Sequence, residues 1–251
     1  MGTAFIGKAK IRLGLYSAGS TFKNRPLRYL ENTSRFELSF TEEEKKLADF
    51  TNATGGTDAS SKRINEISGS MDARHFTAEN LALALWGTTA VLGVTPIVAE
   101  AGFKIVPNMF LATDRLIDIT VAPVVKKGAT VILAADFTYS PGGVLISPTI
   151  TTGTVVSGDA VTIDYTPKAS SDVQALVNSA PDVSILVEGI NEIDGKYTTL
   201  KIWKAKLGVA QNLGFITDDF NTLTLSITIQ KDETVSAAGG ASQYFRLESQ
   251  T

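Results

Sequence analysis

Alternation of apolar and polar residues is the dominant pattern along this chain. Successive side chains of a β-strand point to opposite faces, so each alternating run predicts a strand with one buried and one wet face. Strands of that kind are typical of antiparallel sheets packed over a core. The alternating runs cover residues 8–15, 36–40, 117–121, 161–165 and 222–229, and further strands are predicted at 183–188, 198–207 and 244–248.

Prolines and glycines fall mostly between these runs. Pro141-Gly142-Gly143 and Asp194-Gly195 predict turns, and the second joins two predicted strands in a hairpin. One helix is predicted over residues 77–87, with Thr77 as its N-cap and an end at Gly87. A shorter helix is predicted over residues 170–177.

Residues 41–63 form the most unusual segment, because they show no apolar period. A charged run, Thr41-Glu42-Glu43-Glu44-Lys45-Lys46, leads to small polar residues between Thr51 and Ser61. The segment is interpreted as an extended polar loop. Long loops in compact domains are usually either functional or disordered, and the sequence alone leaves both open.

Composition removes several kinds of chemistry. The chain has 251 residues, no Cys and one His. Disulfides, thiolate zinc sites, thiol catalysis and iron–sulfur clusters are therefore excluded. The length fits one domain, or one domain with a large insertion.

Charge is unevenly distributed. Residues 1–40 hold seven basic and two acidic side chains, a net charge of +5, whereas the whole chain carries −3. The remaining residues therefore carry −8, and such a polar molecule could associate head to tail. Scattered surface charge without a partner is the alternative interpretation. The small total argues against a protein that holds nucleic acid by neutralising phosphates.

Candidate catalytic and metal-binding residues lack the motifs that would support them. His75 has no nucleophile elbow elsewhere in the chain, and Asp218-Asp219 lacks the other oxygen ligands of a calcium loop. No glycine pattern of a phosphate-binding loop occurs. The sequence predicts no catalytic residue, no metal site and no cofactor, and therefore a protein that is not an enzyme.

Residues 80–99 carry no charge over a length that could span a bilayer. Gly87, Gly93 and Pro96 interrupt the segment, and no Lys or Arg marks a cytoplasmic side. We expect a short buried helix running into a loop, and a soluble protein with no membrane partner.

Several segments resemble a known family when they are taken together in their order along the chain, although no single segment is diagnostic. They include Ile6-Gly7-Lys8-Ala9-Lys10, Asn24-Arg25-Pro26-Leu27-Arg28, Phe76-Thr77-Ala78-Glu79-Asn80, Val187-Glu188-Gly189-Ile190-Asn191, Lys201-Ile202-Trp203-Lys204-Ala205, Phe220-Asn221-Thr222-Leu223 and Phe245-Arg246-Leu247. In this order the chain resembles the major tail tube proteins of tailed bacteriophages, of the long-tailed, siphophage-like kind. Residues 132–167 match least and are interpreted as an elaboration of the common core.

Members of that family form hexameric rings that stack head to tail into a hollow tube. The resemblance implies one domain over residues 1–251, an antiparallel β-sandwich or barrel with one flanking helix, whose strands join those of neighbouring copies. It implies a structural virion protein of the tail, assembled in the host bacterial cytoplasm. Double-stranded DNA would pass through without specific binding, and the implied partners are further copies of the chain and the tape measure, terminator and distal tail proteins.

Two sets of residues follow from the resemblance as candidate sites. The polar segment would reach the adjacent ring through Glu42, Glu43, Glu44, Lys45, Asn52, Gly55, Gly56, Asp58 and Arg63. The uncharged strand face would line the lumen with Thr222, Thr224, Ser226 and Thr228. Six subunits with about four strands each would close a sheet roughly 45–50 Å across, which leaves room for a duplex of ~20 Å.

Other functions stay open at this point. A monomeric β-sandwich module that binds carbohydrate or a host receptor is one alternative, although such modules usually display aromatic platforms and only Trp86 and Trp203 are available. Another tail component of related fold, such as a tail terminator, is a second alternative.

Overall fold

The computed structural model describes residues 7–50 and 56–251 and is mainly antiparallel β-structure. Its α-helix, α1, covers Ala78–Ala84. The strands are β1 (Gly7–Leu15), β2 (Arg28–Tyr29), β3 (Thr33–Ala48), β4 (Thr57–Ala73), β5 (Thr88–Leu92), β6 (Ile97–Lys104), β7 (Phe110–Ala112), β8 (Val124–Lys127), β9 (Thr130–Val131), β10 (Phe137–Ser140), β11 (Gly143–Ile146), β12 (Ala160–Tyr165), β13 (Ser170–Gln174), β14 (Asp182–Asn191), β15 (Tyr197–Leu207), β16 (Leu223–Gln230) and β17 (Phe245–Ser249). No helix in the described ranges is long and apolar enough to cross a membrane.

The chain divides into two compact units, and in sequence the second is inserted between the two segments of the first. The first unit takes residues 1–89 and 173–251, and the second takes residues 90–172. The expected elaboration at 132–167 therefore covers only the later part of the second unit. Alternation is a local signal that is present in both units, so it could not place the boundary between them.

A large open sheet forms the first unit. Its order is β2-β1-β14-β15-β16-β4-β3, and β17 pairs with β15 beside this path. The edge of β15 that faces away from β14 pairs with two strands. Residues 204–207 pair with β16, and residues 198–202 pair with β17. Over the described residues the end strands β2 and β3 do not pair with each other. The expected barrel is therefore not closed by one copy of the chain.

The two faces of this sheet differ as the alternation predicts. Apolar side chains of β1, β14, β15, β16 and β4 meet on one face, where Ala84 of α1 packs on them. Ile185, Ile202 and Leu225 are completely buried there. The opposite face carries polar and charged side chains.

An ion pair is buried against part of that polar face. The Arg25 and Asp232 side chains are 1% and 0% exposed, with 3.0 Å between Nη2 and Oδ2. Arg25 also donates to the hydroxyl oxygens of Ser20 and Ser184 and to the carbonyl oxygens of Ser20 and Trp203. The pair therefore fastens the chain segments around both residues to the sheet.

The second unit has its own core between two sheets, ordered β10-β11-β7 and β6-β12-β8-β9. Asp136 is fully buried beside this core. Its carboxylate accepts hydrogen bonds from the backbone N–H and the hydroxyl of both Thr151 and Thr152, at 2.6–2.8 Å. Burial alone would raise the pKa of Asp136, but these bonds outweigh it and lower the pKa to about 2.

Most predicted elements are confirmed, including α1 with its Thr77 cap and the β14–β15 hairpin, in which Gly195 has a φ of 71°. Two predictions are wrong. Residues 117–121 form no strand, because Asp118 closes a turn by accepting from the Thr120 N–H at 3.1 Å. Residues 170–177 form no helix, because Ser170–Gln174 is strand β13, which pairs with β5.

Candidate assembly surface

The segment expected to be a polar loop is the outer half of a long β-hairpin. Strands β3 and β4 pair from Thr33 and Ala73 out to Ala48 and Thr57. The loop prediction for residues 41–63 is therefore wrong over most of its length. The alternation signal failed because it needs one dry face, and both faces of this ribbon are wet.

We call residues 41–48 and 57–66 the distal hairpin. Within the described part of the chain, its strands pair only with each other, because β16 reaches β4 no further out than Ser68. All of its residues are exposed except Glu43, which is half-buried. At ~3.4 Å per residue, the eight or so paired residues extend about 27 Å. An isolated two-stranded hairpin is marginally stable in water, so this element is suited to contact a partner.

The structure brings several predicted contact residues together on the distal hairpin. Glu43 lies opposite Arg63, and their side chains form an ion pair at 2.6 Å. Lys45 lies 3.9 Å from Glu43, while Glu42 lies opposite Ile64. Charges therefore occupy both faces of the ribbon. Asp58 lies at the outer end of β4 and Gly56 directly precedes that strand, while Asn52 and Gly55 lie outside the described residues.

The main sheet also has unpaired edges. Over the described residues nothing pairs with the outer edge of β3, a strand of 16 residues. β2 pairs with β1 only at Arg12 and Leu13, and the Leu30 N–H donates to the Ile11 carbonyl oxygen, so the edge from Gly7 to Lys10 is open too. Long open edges are templates for pairing with another chain, and soluble proteins normally shorten or cover them.

The predicted lumen residues lie on the polar face of the sheet, alternating with buried Leu223, Leu225 and Ile227. Thr224 donates a hydrogen bond to Asp72 at 2.8 Å, and only Thr228 of the four is fully exposed in the isolated chain. The other three are half-buried. The structure therefore groups these residues on one face of the sheet.

Basic side chains on the same face are largely paired with acids. Lys204 lies 3.2 Å from Asp182, Arg35 lies 2.8 Å from Asp72, and Arg12 is paired with Glu188. The hydrogen bond from Arg35 to Asp72 and their opposite charges raise the pKa of the guanidinium further. Neutralised in this way, these bases attract phosphates less than their number indicates.

The side chains considered as catalytic or metal-binding candidates contact neighbouring groups in the chain. His75 is exposed, and its Nδ1 lies within hydrogen-bonding distance of the Glu31 carboxylate. Asp219 accepts the Phe220 N–H at 2.7 Å within the loop that precedes β16, as expected for a turn. No cluster of three or more metal-ligating side chains occurs within residues 7–50 and 56–251.

Two apolar surface features, an exposed loop and a groove, were not predicted from the sequence. Phe215, Ile216 and Phe220 are almost fully exposed in the loop between β15 and β16. An apolar groove of about 590 Å³ lies beside α1, lined in part by Leu15, Leu83 and Trp86. The available signal was the cluster Gly214-Phe215-Ile216, which is apolar but belongs to no periodic run.

A family model matches residues 4–248, and the chain belongs to that family, which is described as "Protein of unknown function UCP028589". A comparison with curated proteins finds no match to this chain.

Proposed function

We propose that this member of the family is a structural subunit of a bacteriophage tail tube. Six copies would form a ring, and rings would stack head to tail into a hollow channel that conducts double-stranded DNA into the host during ejection. The protein acts by assembly and not by catalysis, and it resides in the virion tail. Its partners are other copies of the chain and the tail proteins at the ends and inside the tube.

The distal hairpin is the observation that carries the proposal. It occupies the segment that the resemblance assigns to contact between rings, and it extends about 27 Å beyond the last strand pairing with its own sheet. Charges on both faces and an unpaired outer edge fit an element that a neighbouring copy covers. A free monomer gains little from such a hairpin.

Two further features support a channel. The open edges of β1 and β3 allow strands of adjacent copies to continue one sheet around a ring. The polar face offers Thr224, Ser226 and Thr228 together with ion-paired bases. A wall of that kind attracts few phosphates, so DNA slides along it instead of binding.

A shortened hairpin tests the proposal. Residues 45–61 are replaced by Asn-Gly, which preserves the pairing of Glu44 with Lys62 and supplies a two-residue turn. We expect a folded protein that forms single rings but no tubes in negative-stain images.

Lys231→Gln is the matched control, because it removes an exposed ion pair with Glu233 outside the hairpin and keeps the hairpin length. This variant should form tubes like the unaltered chain. Normal tubes from the shortened hairpin would show that the distal hairpin does not join rings.

A further inference from the structure

An exposed apolar surface stands out in the loop between β15 and β16. Phe215, Ile216 and Phe220 are 87%, 98% and 86% exposed, and we call these three residues the loop tip. At roughly 150–250 Å² for an aromatic side chain, they present on the order of 500 Å² of apolar surface. An apolar patch of that size on a soluble protein marks an interaction site.

Hydrogen bonds within the loop hold its shape. The Asn221 side-chain amide donates to the carbonyl oxygen of Gly214, which closes the loop at its base. The Asp219 N–H donates to the Thr217 hydroxyl at 3.1 Å. A surface ordered before binding loses less conformational entropy when a partner covers it.

A concave apolar surface lies beside α1. This α1 groove has a volume of about 590 Å³ and is lined by Leu13, Leu15, Ala82, Leu83, Trp86 and Pro181, among others. Leu15 is 63% exposed although it ends a core strand. Trp86 is fixed by a hydrogen bond from its indole N–H to the carbonyl oxygen of Leu207 at 3.2 Å. The volume is ample for aromatic side chains.

The loop tip and the α1 groove lie on different flanks of α1. Leu83 and Trp86 border the groove together with β1. The loop that carries the tip instead runs from Ala210, whose N–H donates to the carbonyl oxygen of Ala84, to a cleft that Phe215 shares with Phe76. In the sheet, β14 and β15 separate β1 from β16, a distance of about 14 Å.

Charge accompanies the apolar match. Asp218 and Asp219 adjoin the loop tip and are exposed, while exposed Arg28 lines the α1 groove together with Glu79. We propose that the loop tip of one copy inserts into the α1 groove of the next, with Asp218 and Asp219 directed towards Arg28. Two different patches in contact make a heterologous interface, which repeats from copy to copy and closes into a ring when the rotation allows. This inference rests on the proposed function, because it adds to the strand edges a second contact between neighbouring copies in each ring.

Substitution of the loop tip tests the contact. Ile216→Asp places a charge in the buried centre of the interface, so the association of subunits should weaken by roughly 30-fold or more. The melting temperature and circular dichroism of the monomer should not change, because Ile216 is 98% exposed. Val91→Asp is the control, since Val91 is 88% exposed in another part of the chain and should leave the rings intact.

Mixing two defective variants tests the pairing of the patches. Leu15→Asp damages the groove and leaves the tip intact, whereas Ile216→Asp does the reverse. An equimolar mixture has one functional pair of patches, so mass photometry should show one-to-one dimers, while each variant alone stays monomeric.

The possible failures are distinguishable. Rings formed by Ile216→Asp alone, or a mixture that remains monomeric, would overturn this interface and leave the proposed function standing. An unaltered chain that stays monomeric at high concentration would overturn both.

Discussion

The buried ion pair between Arg25 and Asp232 predicts how much unfolding free energy is lost when one partner is removed, because the burial of both side chains sets the size of the loss. The two side chains are 1% and 0% exposed, so replacing Arg25 by Met leaves a carboxylate without its cation in a site from which water is excluded. Breaking a buried pair by removing one partner costs about 3–5 kcal/mol. For a protein of this size that corresponds to a fall in melting temperature of roughly 6–20 °C.

Tryptophan fluorescence during urea unfolding measures this change, because Trp86 and Trp203 both belong to the first unit. Arg25→Met and Asp232→Asn should each show the loss. The double variant should lose less than the sum of the two, by about 1–3 kcal/mol, since the interaction is broken only once. A loss below about 1 kcal/mol for Arg25→Met would refute the argument that this pair fastens the loops to the sheet.

The same pair predicts a pH dependence. Burial alone would raise the pKa of Asp232, but hydrogen bonds from Thr234, Arg25 and Tyr16 lower it below its ordinary value of 3.8. A carboxyl whose pKa is lowered on folding stabilises the protein above its unfolded pKa and loses that contribution as the pH falls through the folded pKa. The stability difference between the unaltered protein and Asp232→Asn should therefore shrink below about pH 4.

Two further predictions concern the second unit. Asp136→Asn should destabilise this unit by about 2–3 kcal/mol near neutral pH, because hydrogen bonds from Thr151 and Thr152 to a charged acceptor are lost. Faster amide exchange across residues 90–172 would show this loss. The stability difference between the unaltered protein and the variant should vanish as the pH falls from 3.8 towards about 2. Gly143→Ala should also destabilise this unit, because the added Cβ would lie 2.1 Å from the Leu111 carbonyl oxygen and the φ of residue 143 is +149°. For either variant, unchanged amide exchange across residues 90–172 would contradict the prediction.

Local pattern was sufficient for several strands of the first unit's sheet, although it did not predict β4. The alternation of Leu223, Leu225 and Ile227 with polar residues predicts β16 correctly, because a strand with one buried face has apolar residues at every second position. The cap at Thr77 likewise marks the start of α1. These signals depend on neighbours in the chain and need no knowledge of the tertiary structure.

The candidate surfaces depend on contacts that are distant in sequence, and there the pattern failed. The distal hairpin has no dry face, so Glu43 and Arg63 gave no sign that they lie opposite each other. The α1 groove joins Leu15 to Trp86, which only the fold brings together. Exposure of Phe215 and Ile216 contradicts their apolar character and was visible only in three dimensions.

Negative-stain electron microscopy of the purified chain at high concentration is the most decisive experiment for the tail tube proposal. We expect hollow rings with sixfold symmetry in top views and tubes of uniform diameter in side views. Particles that remain single subunits at every concentration, or assemblies without a central channel, would contradict it.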